Sequence, residues 1–352
     1  MYSLAVEKPN KLKIIEIEKP LLGSYDVLVK TEAAFICNAT DKKVVEGHFP
    51  GLGLENYPLL LGHETVGRIV EKGEKAASFT LGNRAIGGLL LDPPGGTYGS
   101  GWGGNSEYIL MRDHKAMVND GVADEAHGWN DSLQIMREVP EDITLEDAGL
   151  LCTWREVYAG MFTDFSLKPG DDIIVFGAGP VGLSFIKFAK LKGLGEVISV
   201  DPLPNKREKA LAMGADAAYA PDDPELAALK ERRGVGFDAI IDAVGHESII
   251  NQAIPLVKMA GSICVYGVIG EPTITLQKHL GPYNFNLLIH QWPTREAEAG
   301  AQDTLIDWIH AGKLDYKDFV TGVFPVKDFE AAFAAVQKTD SIKTMLMLDQ
   351  WT

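Results

Sequence analysis

Gly177, Gly179 and Gly182 follow the apolar run Asp172 to Phe176 and open an amphipathic stretch to Lys192. Asp201 stands 19 residues after Gly182, at the end of a second apolar run from Glu196. Glycines at this spacing permit a tight turn, let a pyrophosphate approach the backbone and let helix pack on strand, and the helix N-terminus offers unpaired N–H groups to phosphate. Pro180 and Val181 lie inside the same turn. A carboxylate at Asp201 can accept bonds from both hydroxyls of an adenosine ribose and would repel a 2′-phosphate, so the expected cofactor is NAD rather than NADP. A second group carries soft donors: Cys37, His63 and Cys152. Two thiolates and an imidazole are donors that zinc favours, and three of them leave a tetrahedral position open to a substrate oxygen. Singly, each also reads as a small core residue or an ordinary histidine.

The elements that must position these residues fall into two patterns. Up to about residue 110 the chain reads as short alternating strands, among them Tyr25 to Ala34, Glu64 to Glu71 and Asn105 to Met111, with a Pro- and Gly-rich loop between Gly87 and Gly104. Residues 112–136 are polar and irregular, and carry His114 and His127 as surface residues. From Ile143 helices begin, one opening at Thr144 and another at Thr153. Strands then alternate with helices: 173–176, 197–200, 217–219, 239–241 and 263–266, with helices near 183–192, 205–213, 225–233 and 247–258. Ser184, Lys187 and Lys190 are expected on the wet face of the first. A doubly wound parallel sheet is the natural packing, with 284–289 as an added edge strand. Helices at 294–310 and 326–337 precede a final strand from Thr344, and this tail returns to the β-rich unit.

With 352 residues the chain is long enough for two cores, and its apolar and charged fractions of 46 % and 23 % are those of a globular protein. A net charge of −16 argues against nucleic acid or an anionic membrane as partner. There is no run of membrane-spanning length and no signal-peptide core, so a cytoplasmic location is expected. Three scattered cysteines exclude a disulfide framework, and Cys264 sits inside a sheet strand as a core residue.

Taken together, the Gly-His-Glu motif at 62–64, the Gly-Ala-Gly-Pro-Val-Gly fingerprint at 177–182 and the segment Phe237 to Gly245 resemble the medium-chain, zinc-dependent alcohol dehydrogenase family, which includes sorbitol and threonine dehydrogenases. The resemblance covers the whole chain. It implies an α/β protein in which a β-rich GroES-like catalytic domain, residues 1–153 and 291–352, flanks a dinucleotide-binding Rossmann domain, 154–290. It implies one catalytic zinc on Cys37, His63 and Cys152, with Glu64 beside it as a carboxylate able to swing onto the metal. Thr40 resembles the hydroxyl that passes on the substrate proton, although the gap from Cys37 is three residues where the family usually has two. Glu156 occupies a position where relatives carry a nicotinamide-contacting threonine, Val268 and Ile269 one where the backbone grips the carboxamide, and Lys206 that of a cation beside the ribose.

The chain departs from the family in lacking the four clustered cysteines of a second, structural zinc, and in the 112–136 insertion. The implied activity is hydride transfer between NAD and an alcohol, with polyols, sugars and other secondary alcohols favoured, in a homodimer or homotetramer joined at the sheet edge. The alternatives are a zinc-free NADPH-dependent enone or quinone reductase and a nucleotide-binding protein without turnover.

Overall fold

Six apolar runs become six parallel strands in a computed structural model that describes residues 1–351. Across the sheet they run Ala217–Tyr219, Val197–Val200, Ile173–Phe176, Phe237–Asp242, Val257–Val265 and Asn286–Ile289. Numbered by sequence this is the order 3-2-1-4-5-6, the doubly wound arrangement, whose ligand edge lies at the carboxyl ends of the strands. Ile173–Phe176 and Val197–Val200 are buried along their whole length, as a sheet covered on both faces requires. This sheet and its helices make one compact unit, residues 154–301.

The other unit comprises residues 1–153 and 302–351. Its larger sheet contains, in order, Val320–Pro325, Lys343–Met347, Asp26–Ile36, Glu64–Lys72, Arg84–Ile86 and Arg137–Val139, with Tyr108–Arg112 paired to Asp26–Ile36. The smaller sheet is Lys11–Glu16, Tyr2–Lys8, Leu59–Leu61 and Gly99–Gly101. Thr344 pairs with Ile36, so the C-terminal strand does come back to the β-rich unit. No helix among the described residues is long and apolar enough to cross a membrane.

Several elements differ from expectation for identifiable reasons. The two helices expected after Ile143 are one, Leu145–Ala159, continued by a π turn over Gly160–Asp164. The helix expected over 294–310 is split into Arg295–Gly300 and Gln302–His310, and the return to the first unit falls at Gln302 rather than 291. Gln302 is fixed there by donating from Nε2 to the Glu138 carbonyl at 2.8 Å. The helix expected to reach 258 stops at Ala253, because Pro255 cannot continue it. Residues 112–136 are ordered, with a helix at His114–Asn119 and Leu133 and Met136 buried. His127 is exposed, whereas the half-buried His114 accepts the Trp129 indole N–H at 2.9 Å. Ser184 is buried, its hydroxyl bonded to the Pro180 carbonyl at 2.8 Å.

The fingerprint glycines have separate tasks. Gly177 has φ +93, a conformation that favours glycine. At Gly182 a Cβ would collide with the Gly177 carbonyl oxygen, so the helix Pro180–Lys192 can approach its strand only without a side chain there. A Cβ at Gly179 would meet nothing within 4 Å. The fold therefore demands Gly182, whereas its packing leaves room for a side chain at Gly179. Gly182→Ala is expected to lower the free energy of unfolding by about 1–3 kcal/mol through overpacking. Gly179→Ala should leave it within about 0.5 kcal/mol of wild type while weakening dinucleotide binding at least tenfold, as read by denaturant unfolding and calorimetric titration with NAD.

Candidate metal centre and nucleotide loop

Strand register assembles the metal-type cluster. Phe35 pairs with Glu64 and Ile36 with Thr344, so Cys37, the His63-Glu64 pair and Lys343 arrive at one end of three neighbouring strands. Gly62, at φ +99, makes the turn that presents His63, and a Cβ there would strike the Asn105 side chain. Ligand atoms of Cys37, His63 and Glu64 lie within 4.8 Å of one another, the one such grouping among the described residues.

Each member is held by neighbours. The Thr40 N–H, opening the helix Thr40–Glu46, donates to the Cys37 sulfur at 3.4 Å, and the Cys37 N–H donates to Asp41 Oδ2 at 2.9 Å. The other oxygen of Asp41 lies 3.3 Å from His63 Nδ1, leaving Nε2 on the side of Glu64, 3.9 Å from its Oε1. A carboxylate behind an imidazole fixes the ring and makes it a better metal ligand. Glu64 is 5 % exposed, and Lys343, 2 % exposed, donates to its Oε1 at 2.7 Å while Thr153 Oγ1 donates to its Oε2 at 2.9 Å.

The electrostatics favour a cation. Burial acts to raise the pKa of Cys37, but its hydrogen bond with His63 and the nearby Lys343 ammonium bring it below the ordinary thiol value. Burial acts to depress His63, yet Asp41 and Cys37 lift it well above the ordinary imidazole value. Lys343 stays charged despite complete burial because of Glu64 and Cys37. A thiol and an imidazole brought this close together, backed by the carboxylates of Asp41 and Glu64, are donors that a divalent ion can gather, so the residues present fit a zinc ion.

Two of the three expected ligands, Cys37 and His63, stand together. Cys152 is outside the grouping: it is 6 % exposed and its thiol faces the Thr65 carbonyl at 3.8 Å, one residue along from Glu64, which takes the third place. Thr40 is beside Cys37, touching the sulfur through its amide. Glu156 lies in the second unit, 3.7 Å from the Arg295 guanidinium, in a group that includes the fully buried Arg155 and Glu298. Burial holds the Cys264 thiol protonated, in keeping with a core role. Sequence reasoning missed Asp41, Thr153 and Lys343. Asp41 carried a signal, an acid four residues beyond a candidate ligand at a helix start, whereas Lys343 is 279 residues from Glu64 and carried none.

In the second unit the nucleotide-type loop is closed by Asp201, 7 % exposed. Its Oδ2 accepts the Ala178 N–H at 2.8 Å and its Oδ1 the Leu203 N–H at 2.9 Å. Each oxygen keeps lone-pair capacity for a ribose hydroxyl. Lys206 sits in the first turn of the helix Pro204–Ala212, and next to it Arg207 donates to the Asp201 and Pro202 carbonyls at 2.8 and 2.9 Å. Val268 and the partly buried Ile269 follow the strand Val257–Val265 at the sheet's carboxyl edge. There Gly245 and Gly267 bring two backbones together more closely than side chains would allow.

Removing the Lys343 ammonium strands a buried carboxylate. Lys343→Met is expected to cost about 3–5 kcal/mol in denaturant unfolding of the metal-free protein. Adding Glu64→Gln should recover most of it, and a double mutant no more stable than Lys343→Met would contradict the pairing.

Residues 23–119 match the model of the alcohol dehydrogenase GroES-like domain, and 180–294 that of the zinc-binding dehydrogenase domain. An NADP-dependent isopropanol dehydrogenase of Clostridium beijerinckii is 31 % identical over 72 % of this chain and 72 % of its own. D-arabinitol dehydrogenase 1 of Uromyces fabae is 26 % identical over 97 % and 96 %. The crystal structure of 2R,3R-butanediol dehydrogenase from Bacillus subtilis superposes with a TM-score of 0.78 over 98 % of this chain and 99 % of that one, at 21 % identity. With both domain models matched, a zinc-type cluster on the β-rich unit and a dinucleotide-type loop on the parallel sheet, this chain belongs to the medium-chain zinc-dependent alcohol dehydrogenase family.

Proposed function

We propose that the protein is an NAD-dependent dehydrogenase that oxidises a secondary alcohol, a polyol or sugar alcohol above all, to the carbonyl compound. The observation that carries this reading is the buried, charge-compensated set of Cys37, His63 and Glu64 with its supporting Asp41 and Lys343. D-arabinitol dehydrogenase 1 supports the polyol class. The catalytic domain is assigned to the β-rich unit and the dinucleotide-binding domain to the parallel sheet.

Zinc, when bound, supplies a Lewis acid that lowers the pKa of the alcohol, and the nicotinamide accepts the hydride. The residues of the chain do the rest. Cys37 and His63 are the anchors, with Asp41 fixing the imidazole and the Thr40 amide steadying the sulfur. We assign the third donor to Cys152. Both oxygens of Glu64 already accept strong bonds, from Lys343 and Thr153, whereas the Cys152 sulfur, a softer donor, stands 3.8 Å from the Thr65 carbonyl in the residue next to Glu64. Thr40, by its place beside Cys37, is the candidate for passing the alcohol proton outward. Glu156, tethered near Arg295, is the candidate for contact with the cofactor amide or a polar substrate.

NAD is preferred to NADP because Asp201, held by two backbone amides, presents negative charge where a 2′-phosphate would sit. Gly179, Pro180 and Val181 line the pyrophosphate side, and Lys206, Val268 and Ile269 complete the cofactor contacts. A homodimer or homotetramer is assigned to the edge strand Asn286–Ile289, flanked by exposed Tyr283 and Trp292.

Two measurements test this. A panel of polyols and secondary alcohols scored by NADH absorbance should give turnover that is lost at least a hundredfold in Cys37→Ser and His63→Ala, and that prefers NAD. Reversal of that preference in the wild type would remove the Asp201 argument. X-ray absorption at the zinc edge should count two sulfurs in the wild type and one in Cys152→Ser, while a single sulfur in the wild type would return the third place to Glu64.

A further inference from the structure

Among the described residues with a side chain, four have positive φ, and Trp102, at φ 72, is by far the largest. A bulky residue keeps such a backbone only where its surroundings impose it, and such outliers gather at functional sites. Here the surroundings are explicit. The Trp102 N–H donates to Ser100 Oγ at 2.9 Å, its carbonyl accepts the Leu90 N–H at 2.9 Å, and Ser100 Oγ donates to the Leu90 carbonyl at 2.8 Å. Trp102 also bridges Leu61 in antiparallel fashion. On either side a Cβ would press to 2.8 Å on the Leu60 carbonyl at Gly101 and on the Leu90 Cβ at Gly103. The run Gly99 to Gly104, which looks like a flexible linker, is a fitted mount for one indole.

That mount aims the indole at the metal cluster. The strand Leu59–Leu61 that Trp102 bridges leads through Gly62 into His63, and the Trp102 and His63 ring centroids are 6.0 Å apart with planes at 58°. On its other side the indole meets Phe49 edge-on, with centroids 5.2 Å apart and planes at 80°. Both aromatics are partly exposed and packed from behind by the core of the unit, so they present a surface that cannot retreat.

We propose that Trp102, backed by Phe49, is the specificity-determining wall of the substrate site. It takes the carbon chain of the alcohol against an immobile aromatic face, admits alcohols with a short or slender arm on the carbinol carbon, and excludes those with a ring or bulky branch there. This rests on the reading of Cys37 and His63 as metal ligands in an alcohol dehydrogenase, and it adds which alcohols enter.

The test compares wild type, Trp102→Ala, Trp102→Phe and Phe49→Ala, with zinc content checked for each. Steady-state kinetics are measured on 2-propanol, 2-butanol and 1-phenylethanol at saturating NAD. Trp102→Ala should raise kcat/KM for 1-phenylethanol relative to 2-propanol at least tenfold, mostly through KM, with Phe49→Ala in the same direction and Trp102→Phe between. In parallel, imidazole and 4-phenylimidazole are titrated against the cobalt-substituted proteins by visible absorption. The phenyl compound should bind at least tenfold more tightly, relative to imidazole, in Trp102→Ala. Unchanged ratios in both readouts, within twofold, for folded and metal-replete variants overturn the proposal. Should Trp102→Ala fail to fold, Trp102→Phe and Phe49→Ala decide in the same way. A wild type that turns over none of these alcohols or the polyols counts against the dehydrogenase reading, while the imidazole ratios still decide whether Trp102 walls the metal.

Discussion

The β-rich unit closes around a buried ion pair between Glu64 and Lys343. Taking a carboxylate and an ammonium out of water is costly, and the cost is offset only when both are paired and their remaining hydrogen-bonding capacity is used. Here Lys343 and Thr153 each take one oxygen of Glu64, and the Lys343 ammonium is near enough to Cys37 to bring its thiol below the ordinary value against the effect of burial. The pair joins the last strand of the chain to a strand near its beginning, with Asp26–Ile36 between them. The C-terminal strand is thus tied to the same carboxylate that borders the candidate ligands, so folding of the unit and assembly of the metal cluster share one electrostatic condition.

The same charges set the poise of that cluster. Burial acts against the ionised forms of both candidate ligands, yet the His63 contact and the Lys343 ammonium bring the Cys37 thiol below its ordinary value, while Asp41 and Cys37 lift His63 well above its own. Metal binding requires a neutral imidazole and deprotonated thiols, so the surroundings of Cys37 favour the ligand form and those of His63 hold a proton that an ion must displace.

What could be read from the sequence follows the distance over which each feature is determined. The dinucleotide-type turn was legible because its strand, its glycines, its helix and Asp201 lie within one βαβ unit and are set by local sterics. Cys37 and His63 were legible as soft donors and through family resemblance. Lys343 was not, because its position depends on the pairing of Thr344 with Ile36, a register that no local pattern encodes. Helical period puts Ser184 on the wet face, but its hydroxyl donates to the Pro180 carbonyl inside the helix and lets the residue be buried. The helix expected across 294–310 looked continuous by periodicity. It breaks at Ala301, and just past the break Gln302 bonds to the Glu138 carbonyl, a partner from another part of the sequence.

The run from Gly99 to Gly104 shows why composition can mislead about rigidity. Glycine is usually taken as freedom, and such a run as a hinge or linker. Freedom belongs to the unfolded chain; in the folded one a glycine can mark a place where two pieces of backbone touch. Gly101 and Gly103 are required because Leu60 and Leu90 leave no room for a Cβ, and the residue between them, Trp102, is the one that must bear the left-handed backbone with a side chain attached. A residue merely filling space could be replaced there by glycine or asparagine, which the conformation favours. Retaining the largest side chain at the least accommodating backbone, in ring contact with a candidate metal ligand, is difficult to account for by packing alone and is what a shaped binding site requires.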